Sequence, residues 1–300
     1  MVLRHAKSVI QAAAKKFGYR IRLLPADAFY PIDLRSTTND PRSLIYHAGK
    51  QPTVLIDAPV KWGYALAAFP LNAEGCHPFI YAIRKAKSSS QPCDTIRAVL
   101  RCYYESVQPS NAAQWLGLDP ESAPQLQAQP PWARIFPWRS SSISARRRGI
   151  ESAARFDNRQ AGANLSIRDG WKAFGPVSEA VLNIETQRLL RLYESIKHHG
   201  LLRNNEFGGD IRGIALVNGD NWRWMQGGCG AHRAPVLSAM GFETIPVRIY
   251  RVVFRKHVDL WPQVVSGVYS RENALRVFDR VFQHHVPPIA DPWQRMTSSA

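Results

Sequence analysis

Trp222-Arg223-Trp224-Met225-Gln226-Gly227-Gly228-Cys229-Gly230-Ala231-His232-Arg233-Ala234-Pro235, continuing through Gly241 to Val253, reads as strand, glycine loop, short helix and strand. Trp222 to Met225 alternates large apolar side chains with an arginine, as a half-buried strand does. Asn218-Gly219 just upstream supports a tight turn, so a hairpin of residues 213–217 and 222–226 is expected to deliver the chain to the loop. Gly227, Gly228 and Gly230 let the backbone approach a ligand closely. Pro235 is tolerated in the first turn of a helix over 234–240, and Gly241 closes it. The unpaired N–H groups opening such a helix favour an anion, with donors from His232 and Arg233 alongside, so a phosphate is the natural guest.

A Gly-x-His-Arg sequence before a helix, followed by Gly-Phe-Glu-Thr-Ile-Pro-Val at 241–247, resembles the ParB/sulfiredoxin superfamily. The stretch from Leu189 to Leu202, LLRLYESIKHHGLL, is similar to that family's helix end, and the resemblance covers about residues 176–255. It implies an α+β fold: a small mixed sheet with flanking helices over residues 160–290. It also implies a nucleotide, ATP or CTP with Mg2+, in a pocket made by Gly228, Cys229, Gly230, His232, Arg233 and Arg188. Phosphotransfer or nucleotide hydrolysis is the activity expected, with Glu185 or Glu194 as a general base. ParB-type nucleic-acid binding is the alternative. A Cys229-dependent redox reaction is the third, although Gly230 and Ala231 separate Cys229 from His232 where sulfiredoxin has Cys-His-Arg directly.

The whole chain has 300 residues, is 45% hydrophobic and 10% aromatic, and suits a globular protein with a substantial core. The formal charge of +16 favours polyanionic partners: nucleotide, nucleic acid or an anionic membrane surface. No apolar run is long enough for a transmembrane span, and no secretory signal is visible, so a cytoplasmic location is expected. The four cysteines show no zinc-ligand spacing, and the neighbouring His198 and His199 do not face one another on a helix, so no metal site is expected.

Working outward, residues 1–22 read as a basic amphipathic helix with Leu3, Ala6, Ile10, Ala13 and Phe17 on one face. Residues 23–159 read as a mainly helical, partly extended region. In it, 53–56 and 79–83 suit strands, 85–91 an exposed loop, Asp94 a helix cap, and Ser110 the cap of a short helix ending at Gly117. Pro120 to Arg139 reads as a proline-rich linker or wrapping segment, whose Trp132, Phe136 and Trp138 favour packing on a domain. Arg146-Arg147-Arg148 reads as a solvated surface run. Ser178 begins a long helix ending at Gly200, with Leu189, Leu192, Tyr193 and Ile196 buried and with Glu185 and Arg188 partly exposed. Ser270 caps a helix with Ala274, Val277, Phe278 and Val281 on one face, and the chain is expected to fray from Pro287, leaving 291–300 as a tail.

Overall fold

The computed structural model describes residues 31–49, 52–203 and 209–298. The basic helix expected over residues 1–22 lies outside them. A single seven-stranded mixed sheet organises the described chain. Its strands are β1 (Ile32–Asp33), β2 (Val54–Pro59), β3 (Gly63–Ala65), β4 (Phe69–Pro70), β5 (Ile211–Asn218), β6 (Asn221–Gln226) and β7 (Thr244–Phe254), in the spatial order β1-β2-β7-β5-β6-β3-β4.

The expected hairpin is present. β5 and β6 pair antiparallel, from Gly213 opposite Gln226 to Val217 opposite Trp222, and Gly219 takes φ +59° in the two-residue turn. β7 then returns parallel to β5 on the other side, Gly213 lying opposite Ile249. The chain before residue 160 contributes both flanks of this same sheet: β2 pairs with β7, Val54 opposite Ile249, and β3 pairs with β6, Tyr64 opposite Met225. Segments distant in sequence are therefore joined by one hydrogen-bonded ladder.

Side-chain alternation gives the sheet two buried faces. Ile211, Ala215, Trp224, Val247 and Ile249 point into one core, shared with α1 (Pro78–Lys87), α2 (Pro92–Ser106), α3 (Ile143–Gln160) and α4 (Glu179–His199). The short helix α5 (Arg233–Ala239) packs there too, through Val236 and Leu237. Ile214, Leu216, Met225 and Val253 point into the second core, covered by α6 (Arg271–Phe282) and by the 112–138 stretch. Proline-rich in sequence, that stretch wraps the sheet rather than linking domains, with Phe136 and Trp138 buried.

Several local expectations are corrected. Residues 79–83 are helical: the run is apolar because α1 is buried nearly all round, and Pro78 at its first turn with the His77 ring as cap sets its start. The helix continues to Lys87, so the exposed loop begins later than residue 85. α2 starts at Pro92, leaving Asp94 inside the first turn, where its charge suits the helix dipole. Asn111, not Ser110, caps the short helix Ala112–Trp115 by accepting from the Gln114 N–H. Nor does the chain fray after Pro287. Residues Asp291–Ser298 form α7, held by the buried Trp293, whose Nε1 donates to the Cys76 carbonyl at 2.6 Å.

Candidate functional site

β6 ends at Gln226, and five backbone or side-chain bonds hold the glycine loop that follows. Gly227 N–H donates to the Arg212 carbonyl at 2.9 Å, and Arg212 N–H donates to the Cys229 carbonyl at 3.2 Å. The Gln226 amide donates to the Gly228 and Cys229 carbonyls, and Ala234 N–H donates to the Gly230 carbonyl. Gly228 and Gly230 sit at φ +95° and +93°, a region costly for other residues. The N–H groups of Gly228, Cys229, Gly230, Ala231 and His232 donate to no protein acceptor among the described residues. Successive free amides with positive-φ glycines among them are also found in anion-binding nests.

Gly227 is demanded by close approach: a Cβ there would lie 2.5 Å from the Tyr250 hydroxyl. The Tyr250 ring carries the Arg212 guanidinium, 5.0 Å from its centroid, and the Arg212 Nε is buried without a partner. That cation borders Gly228, whose added Cβ would lie 4.0 Å from the Arg212 Cδ. The signal for Arg212 in the sequence is an arginine inside an otherwise apolar strand, Ile211 to Val217.

His232 is turned the other way. Its Nε2 is 2.5 Å from the Glu185 Oε2, and its ring stacks on Phe79 at 5.1 Å between centroids and 8° between planes. Glu185 is buried at 3% exposure, which corrects the expected partial exposure: residues 182, 185, 189, 193 and 196 share the α4 face that meets the core. Its Oε1 accepts from Arg188 Nη1 at 2.6 Å, and Arg188 also donates to the Asp157 carbonyl, while Lys172 pairs with the Asp157 carboxylate at 2.5 Å. Burial pushes the Glu185 pKa up, but His232 and Arg188 outweigh it and bring the carboxyl down to about 2. Burial pushes the His232 pKa down against the pull of Glu185, whose carboxylate faces the His232 Nε2.

Arg233 Nη1 donates to the Gly209 carbonyl, and burial lowers its pKa. Its Nε and Nη2 have no protein partner among the described residues. Arg188 also lines a groove of about 550 Å3 between α3 and α4, with Gln160, Asn183, Gln187, Arg191 and Ser195. The structure thus gathers Gly228, Cys229, Gly230, His232 and Arg233 on one loop and joins Glu185 and Arg188 to it through His232. Glu194 is apart: nine residues along α4 from Glu185, roughly 13 Å, with a half-exposed side chain near His198.

Sequence reasoning missed Arg212, Phe79, Asp157 and Lys172. Cys229 is unpaired, and among the described residues no set of three or more His, Cys, Asp or Glu side chains could hold a metal ion. No helix of the described residues is long and apolar enough to cross a membrane. No protein-family model matches the chain, and neither a curated protein nor a solved structure matches it.

Proposed function

We propose that the chain binds a nucleotide by its phosphates at the loop from Gly228 to Arg233. One observation carries this reading: the loop's free N–H groups and the orphaned Arg212 Nε border the same short segment, so donors and positive charge await an anion together. Arg233 adds its two uncommitted nitrogens, and a guanidinium fork matches two phosphate oxygens. The resemblance to ParB/sulfiredoxin proteins supports a nucleotide over a bare phosphate, with ATP or CTP the candidates. Any Mg2+ would come with the nucleotide's phosphates.

Binding, rather than turnover, is what these groups support. Glu185 has both oxygens committed, one to Arg188 and one to His232, and is held near pKa 2, too weak a base for neutral pH, and Glu194 lies elsewhere on α4. Glu185 instead fixes His232, and His232 fixes the loop's exit into α5. Calorimetric titration with ATP, ADP and CTP, with and without magnesium, tests the proposal; absence of heat with all three would remove it.

A further inference from the structure

Arg134 lies in the wrapping stretch, 7% exposed, with Nε and Nη1 sealed from solvent and without any hydrogen-bond partner. A guanidinium carries five donors and a charge, and burying it unpaired is unfavourable unless an anion completes it. Burial lowers its pKa to about 9, and the positive charges of Arg146, Arg139 and Arg280 push the same way, yet it stays protonated at neutral pH.

The segment that carries it is rigidly held. The carbonyl of Arg134 accepts from Arg146 Nε, that of Ile135 from the Tyr269 hydroxyl, and that of Trp138 from Arg251 Nη1. The Gln263 side-chain amide ties the Arg139 and Ser141 carbonyls at 2.6 and 2.9 Å. These bonds draw Arg146 and Arg251 to the strap beside Arg134 and Arg139. None of the four arginines forms an ion pair among the described residues, whereas many others do. Arg146 and Arg139 act on Arg134 through their charge, and Arg139 acts on Arg251, so a counter-ion with several charges and several acceptor oxygens would suit the group.

We propose that Arg134, with Arg139, Arg146 and Arg251, forms a site for a small multiply charged oxyanion of the phosphate class, separate from the glycine loop. A small ion fits better than a polymer, because Arg134 is only 7% exposed. A terminal phosphate presents three oxygens to neighbouring guanidinium groups, which a phosphodiester in a chain does not.

Thermal unfolding of the full chain in phosphate, against chloride at matched ionic strength, tests this. The wild type should melt higher in phosphate by roughly 3 °C, and a short single-stranded oligonucleotide should not reproduce the rise. Arg134→Met should diminish the rise, Arg139→Gln should weaken the apparent phosphate affinity about tenfold, and Arg233→Ala in the loop should keep the part that Arg134→Met removes. No rise in the wild type overturns the proposal, as does an oligonucleotide matching phosphate. An undiminished rise in Arg134→Met, or its loss in Arg233→Ala, also overturns it. Should Arg134→Met not fold, unchanged phosphate affinity in Arg139→Gln overturns the proposal on its own.

Discussion

The Nε2 of His232 lies 2.5 Å from the Oε2 of Glu185, joining the end of the glycine loop to the buried face of α4. Since Arg188, a quarter exposed, donates to the other carboxylate oxygen, loss of the charge removes its ionic partner and leaves it the Asp157 carbonyl. Glu185→Gln is expected to destabilise the fold by about 1–3 kcal/mol, less than a fully buried pair costs because Arg188 keeps some contact with water. Denaturant unfolding measures it. A double cycle with His232→Phe should be strongly non-additive, because both changes act on the same contact; additive effects would mean the two side chains do not interact.

Acid should weaken the protein in two stages. His77 is wholly buried, and burial takes its pKa from the usual 6.5 down to about 3. Over that window the unfolded chain binds a proton that the folded chain refuses, so stability falls as pH drops from about 6.5 towards 3. Glu185, lowered from 4.5 to about 2, adds a second loss as pH falls from about 4.5 through 2. The His77 Nδ1 accepts from the Phe79 N–H as a helix cap. His77→Asn retains an acceptor there without titrating. Its stability should therefore vary less than the wild type's between pH 6.5 and 4.5, and an identical slope would show that His77 does not titrate as described.

Gly63→Ala probes the seam where the early strands meet the hairpin. A Cβ at Gly63 would lie 2.6 Å from both the Leu71 Cδ1 and the Trp224 Cζ2, with Trp224 fully buried. Overpacking of this kind costs about 1–3 kcal/mol. A variant as stable as the parent would place β3 elsewhere than beside β6.

The hairpin, the Ser178 and Ser270 caps and the Gly241 terminus were legible in the sequence because each rests on local chemistry. Turn glycines, capping hydroxyls and a repeating apolar face need no distant partner. Residues 79–83 were misread as a strand because a helix buried nearly all round has no polar face to betray its period. Trp293 and its helix were missed because the anchor is the Cys76 carbonyl, more than two hundred residues away. At the site, the glycine loop and the pair His232-Arg233 stood out by spacing. That His232 would face Glu185, and that Arg212 would supply the orphaned cation, depends on how β5 and α4 pack, which no local pattern encodes.

Cys229 gives a contrast within the loop. Its carbonyl is committed to Arg212 and Gln226, and its thiol pairs with no other cysteine. Cys229→Ser should leave nucleotide affinity within about twofold of the parent, a change below 0.5 kcal/mol. A loss of tenfold or more would give the thiol itself a part in the site and revive the redox reading.

The most direct test of nucleotide binding at the Gly228–Arg233 loop is calorimetric titration of ATP and CTP, with magnesium, into the wild type and Arg233→Ala, with circular dichroism confirming that both are folded. A saturable heat in the wild type, lost or weakened about a hundredfold in a folded Arg233→Ala, is the predicted result. No binding of either nucleotide to the wild type, or equal binding by the variant, would contradict it and leave Arg233 as a structural tie to the Gly209 carbonyl.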